Sequence, residues 1–193
     1  VNEQPSELAW PGTNRRVAMD KRAEDLMIPL DEYPHIPYWF SLRQTIAELE
    51  SAEIVIKGRK SLPRWVLVFD EKYRLMGSVR RRDILRGLEP GFLSDRPIES
   101  RKNLFSIKTD PNLSELSPDR VLEGMRKQAD RPVSDVMRPI KTTVQHDDHL
   151  IKIIYELVDN NVSMIPVLKD DRVVGVIRSA DVLAEVARMF EDV

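Results

Sequence analysis

Cysteine is absent from all 193 residues, which excludes disulfides, thiolate metal sites and thiol nucleophiles together. Glycine is scarce, at seven residues, and forms no phosphate-cradling loop; a nucleophile elbow is missing too. These absences set the expectation of a protein that is not an enzyme. Aromatic residues make up only 6%, few for the stacking platforms that hold single-stranded nucleic acid. Neither sign of charge dominates. The 30 basic side chains nearly cancel the 32 acidic ones, so no global field draws the chain to nucleic acid or an anionic membrane. No apolar run approaches the roughly 20 residues of a membrane span, and VNEQPSELAWPGTNRR lacks the apolar core of a secretory signal. The expectation is a cytoplasmic protein with neither membrane nor nucleic-acid partner.

What is present is enough apolar material for a core, 41% of the chain, and an internal repeat. The second copy, Arg131 to Phe190, is the clearer. Its β-branched run Thr142 to Gln145 predicts a strand, and Asp147 or Asp148 then caps a helix whose buried face is Leu150, Ile153, Ile154, Leu157 and Val158. Asn160 and Asn161 end that helix. Met164 to Leu168 and Val173 to Ile177 read as a hairpin around Lys169-Asp170-Asp171. The last helix starts at Ser179 and is expected to bury Val182, Leu183, Val186, Ala187 and Phe190.

The first copy follows the same order. Asp25-Leu26-Met27 echoes Asp135-Val136-Met137, and Leu42, Ile46 and Leu49 echo Leu150, Ile154 and Leu157. The hairpin of Trp65 to Phe69 and Leu75 to Val79 leads into Arg80-Arg81-Arg82-Asp83. Spacing between counterparts is 110 residues at Asp25/Asp135, 108 at Leu42/Leu150 and 98 at Gly77/Gly175. The first copy therefore carries extra residues within 51–63, a basic, loop-like insertion. The resulting division is an N-terminal extension 1–16, a first domain 17–90, a connecting segment 91–130 with a helix Pro118 to Gln128 started by Ser117, and a second domain 131–193.

The ordered set Asp135-Val136-Met137, Ile165-Pro166-Val167 and Gly175-Val176-Ile177-Arg178-Ser179-Ala180-Asp181, with its looser first copy, resembles the CBS-domain family. The resemblance implies an α/β (α+β) fold of two tandem CBS units, each a small sheet with packed helices, related by a pseudo-twofold axis. It implies a regulatory module that binds an adenine nucleotide, AMP, ADP, ATP or S-adenosylmethionine, in the cleft between the copies and signals through a dimer surface. The alternative is a ligand-free dimerisation or protein-interaction module. No obligatory cofactor is expected, and the expected partners are the nucleotide, a second copy joined through Val186, Phe190 and neighbours, and an unidentified regulated protein.

By the same resemblance Asp83 and Asp181 grip the ribose, since a carboxylate accepts from two adjacent hydroxyls. Ile140, Thr142, Ile165 and Pro166 line the adenine. Three residues before each Asp the family carries Thr or Ser; here stand Arg80 and Arg178, the latter followed by Ser179. Each arginine either holds a phosphate or meets solvent or a nearby carboxylate. His146-Asp147-Asp148-His149 reads as a helix cap rather than a metal site, and the arginines and lysines around 57–64 and 80–86 as a solvated face. Met137, Met164, Trp10, Trp39 and Trp65 are expected to fill cores.

Overall fold

The computed structural model describes residues 20–56, 58–90 and 118–191. The predicted extension 1–16 with Trp10, the cap Ser117, Lys57 and most of the connecting segment lie outside them. The chain divides into two compact units, a terminal unit of Val1–Asp31 with Lys141–Val193 and a central unit of Glu32–Ile140.

The central unit is built on a three-stranded sheet. Strand β2 (His35–Pro37) runs parallel to β5 (Trp65–Phe69), which pairs antiparallel with β6 (Leu75–Arg80). Helix α2 (Leu42–Ser51) precedes β5 and α3 (Arg81–Gly87) follows β6. Ser41 and Gln44 close a reciprocal cap at the start of α2, Gln44 N–H donating to Ser41 Oγ at 3.2 Å and Ser41 N–H to Gln44 Oε1 at 2.9 Å. Leu42 and Leu49 are buried and Ile46 packs partly against the same core, the face expected from their spacing. The insertion expected as a loop is a hairpin, β3 (Ile54–Ile56) with β4 (Arg59–Ser61), turning at Gly58 with φ +77°.

The terminal unit repeats this plan on a four-stranded sheet. Its order is β1 (Ile28–Pro29), β9 (Arg172–Arg178), β8 (Met164–Lys169) and β7 (Val144–Gln145). Helix α1 (Ala23–Leu26) leads into β1, α5 (Leu150–Asp159) joins β7 to β8, and α6 (Ser179–Glu191) closes the unit. At the hairpin tip Asp170 and Asp171 both take positive φ, 50° and 59°, between the paired Lys169 and Arg172. That geometry matches the twist of the flanking strands. The remaining helix, α4 (Pro118–Ala129), belongs to the central unit and confirms the helix expected there.

Each repeat's opening segment completes the other repeat's unit. Ile28 lies opposite Val176 in the terminal unit, and Arg138 bridges Ser78 in the central unit. The close approach explains two glycines: a Cβ on Gly175 would meet the Ile28 carbonyl oxygen at 2.5 Å, and one on Gly77 that of Arg138 at 2.5 Å. The repeat boundaries in sequence and the packing units therefore cut the chain at different places.

Several expected positions are corrected. The N-cap of α5 is His149, and Asp148 instead accepts from Gln145 N–H at 2.8 Å and pairs with Lys152. Burial raises the Asp148 carboxyl, but the hydrogen bonds from Lys152 and Gln145 outweigh it and hold it low. The start of α6 at Ser179 is as expected, and its N–H is bound to Ser163 O at 3.0 Å. The buried face of α6 is Val182 and Glu185, not Leu183, Ala187 and Phe190. The sheet takes the stripe that includes Glu185, whose carboxylate is satisfied by Lys21 at 2.6 Å and by Arg188. Val158 of α5 is likewise exposed, as is Trp39.

Candidate functional site

Both candidate sites form where the last hairpin strand turns into the closing helix. In the central unit the turn from β6 to α3 carries Arg80 and Asp83. Arg80 donates to Asp83 from its backbone N–H at 3.2 Å, from Nε at 2.8 Å and from Nη2 at 3.2 Å. Arg138 adds a fourth bond, from Nε to Oδ1 at 2.7 Å. The Asp83 side chain is only 2% exposed, and a carboxylate offers about four lone-pair positions. Asp83 is saturated. Burial raises its carboxyl, yet the hydrogen bonds from Arg80 and Arg138, with the Arg80 charge, hold it below the usual carboxylate range. The Arg80 guanidinium also lies over the Trp65 ring, its centre 5.2 Å from the ring centroid.

In the terminal unit the turn from β9 to α6 carries Arg178 and Asp181. Arg178 donates to both carboxylate oxygens, from Nε at 2.7 Å and from Nη2 at 2.8 Å. This bidentate fork suits the planar guanidinium. It engages two of the acceptor positions on Asp181, and among the described residues no other donor takes the rest. Both side chains are 15% exposed, so solvent reaches the pair. The position matching Arg138 is here Ile28, which brings no second cation.

The remaining candidates are placed as follows. Ile165 and Pro166 are buried in β8, opposite Ile177 and Val176, next to the strand end that carries Arg178. Strand β7 pairs with β8 only at Val167 and Leu168, so the missing N–H of Pro166 leaves no gap in the ladder. Its counterpart Leu67 does use that N–H, donating to Pro34 O at 3.2 Å. Thr142 is turned toward α5, where its Oγ1 donates to Glu156 at 2.6 Å. Ile140 belongs to the central unit by packing. Ser179 is exposed. The structure thus joins Arg80 to Asp83 and Arg178 to Asp181, and it adds Arg138, which sequence reasoning passed over, and Trp65, which it had assigned to a core. The signal for Arg138 was its position directly after Asp135-Val136-Met137.

Among the described residues no group of His, Asp and Glu gathers as a metal site. Arg22 donates to the Asp147 carbonyl at 2.8 Å, Asp148 faces Gln145 and Lys152, and His149 stands at the N-cap position of α5 without a side-chain cap bond. Among those residues no helix is long and apolar enough to cross a membrane.

Comparison with known proteins agrees with this architecture. The CBS-domain family model matches residues 133–188. An uncharacterized protein of Methanocaldococcus jannaschii, MJ1004, is 35% identical over 68 residues, which are 34% of this chain and 32% of that protein. The match thus spans about a third of that relative. A CBS-domain-containing protein from Kribbella flavida superposes with a TM-score of 0.62 at 15% identity, covering 86% of this chain and 98% of the other. CBSX2 in complex with AMP gives 0.56 at 17% identity, over 88% and 98%. At these identities the two structures show the fold, that of tandem CBS units, and the family model shows a CBS domain over residues 133–188.

Proposed function

We propose that the chain is a regulatory module that binds an adenine nucleotide at the terminal unit through Asp181 and signals through a surface shared with a second copy. CBS domains are regulatory modules, and a protein of the same fold is known in complex with AMP. The observation that carries the reading is the difference between the two carboxylates. Asp181 keeps acceptor positions for the two adjacent hydroxyls of a ribose, beside a guanidinium able to meet a phosphate. Asp83 has none left and acts as a structural latch. Exposed Leu183 and Phe190 on α6, with half-buried Val186, supply the contact with the second copy.

The test is a thermal-shift screen of the chain with AMP, ADP, ATP and S-adenosylmethionine, because a ligand that binds only the folded state raises the melting temperature. A rise with one of them that disappears in Asp181→Ala and persists in a folded Asp83→Asn supports the reading. No rise at about 1 mM of any of them rejects an affinity in the regulatory range. A second reading, a ligand-free interaction module, is favoured by the fact that each arginine already pairs with the carboxylate proposed for ribose.

A further inference from the structure

Strand β9 ends at Arg178, opposite Met164 of β8, and the next amide, Ser179 N–H, is bound to Ser163 O at 3.0 Å. Backbone bonds thus anchor the turn on both sides. From it the Arg178 side chain reaches forward onto Asp181, three residues on, and both side chains are largely sheltered, at 15% exposed. Charge in such a place acts more strongly than on an open surface, where water screens it.

The two groups offer opposite chemistry, since the ionised carboxylate only accepts hydrogen bonds and the guanidinium only donates them. Asp181 suits the adjacent hydroxyls of a ribose, and Arg178 suits an anion. A ribose carries its 5′ carbon on the ring carbon next to the one that bears the 3′ hydroxyl, so a group on the 5′ carbon stands near the cation that holds the carboxylate. The neighbouring acid does not cancel that cation. Glu185 follows one turn later on the same face of α6, but Lys21 meets one of its oxygens at 2.6 Å and Arg188 the other. These linked groups comprise two carboxylates and three cations, which leaves one positive charge over.

We propose that Arg178 restricts the terminal unit's site to adenosine ligands that carry a phosphate on the 5′ carbon, and turns away adenosine itself and S-adenosylmethionine, whose sulfonium sits at that carbon. The inference rests on the nucleotide reading above. A phosphate accepts from the guanidinium and so offsets the part of the Asp181 fork that the ribose hydroxyls replace. Adenosine has to share Asp181 with Arg178 and returns nothing to it. The sulfonium meets a like charge.

Isothermal titration of the whole chain with AMP, adenosine and S-adenosylmethionine tests it. AMP is expected to bind at least about tenfold more tightly than either of the others, the worth of a hydrogen bond to a charged group. Arg178→Gln is expected to remove that margin, and Arg172→Gln, which takes the same charge from the exposed far end of β9, to keep it. Affinity for adenosine or S-adenosylmethionine equal to that for AMP, a margin that survives Arg178→Gln, or one lost equally in Arg172→Gln overturns the proposal and leaves the nucleotide reading standing. No binding of any of the three, or AMP binding that survives Asp181→Ala, overturns both. A second measurement needs no variant: about a tenfold rise in sodium chloride is expected to weaken AMP several-fold and leave adenosine unchanged, and an equal response of the two overturns the proposal.

Discussion

Arg138 donates from Nε to Asp83 Oδ1 at 2.7 Å across 55 residues of sequence, and its counterpart in the other repeat is the apolar Ile28. This single exchange separates two sites that otherwise share an arginine and an aspartate three residues apart. With Arg138 present, the carboxylate is filled and buried; without it, the carboxylate keeps open positions.

Removing one member of a buried ionic group strands the others. Asp83→Ala is therefore expected to cost about 3 kcal/mol, since two guanidiniums and a helix-start amide lose their acceptor. Asp181→Ala, at a more accessible single pair, is expected to cost about 1 kcal/mol. Urea denaturation of both variants checks the order.

The depressed Asp83 carboxyl makes stability depend on pH. Its folded pKa lies below the unfolded value, so its contribution is complete above about pH 4, the ordinary aspartate value, and is lost as pH falls through the folded pKa. Asp83→Asn is expected to be less stable at pH 7, with the gap from the parent narrowing below pH 4. Denaturation midpoints measured from pH 7 to pH 3 test the sign.

At Gly175 a methyl group has no room, because the atoms it meets include backbone of β1 as well as Met27. Gly175→Ala is expected to destabilise the chain by about 1–3 kcal/mol and to speed hydrogen exchange at the amide of Ile28.

The hairpin tip offers the opposite sign. Asp170 and Asp171 both hold positive φ, so the pair Asp170→Asn and Asp171→Gly is expected to gain about 0.5–1 kcal/mol. Thermal melting of the double variant measures it.

If α6 carries the contact with a second copy, Phe190→Glu puts a charge on its exposed apolar edge and is expected to shift sedimentation toward a single chain. An equally strong association in the variant assigns the interface elsewhere.

Local patterning already made much of this legible. Alternation and turn chemistry disclosed both hairpins, Leu42 and Leu49 marked one helix face, and Pro118 announced α4. Periodicity failed where two faces of a helix were both apolar. On α6, Leu183 and Phe190 competed with Val182 for the core, and nothing local says that the buried stripe contains Glu185, because its partner Lys21 lies 164 residues away. Trp39 was assigned to a core by its size, although half of it faces solvent.

By itself the sequence determined the repeat, the order of its elements and the positions of Arg80, Asp83, Arg178 and Asp181, because these follow from short-range spacing. Only the tertiary structure decided which segment completes which unit, and hence that Asp83 meets Arg138 while Ile28 takes the matching place in the other sheet. Strand pairing at a distance depends on which backbone edges are left open once the hairpins form, and on the two glycines that let another strand's carbonyl come close. Spacing along the chain does not encode that choice.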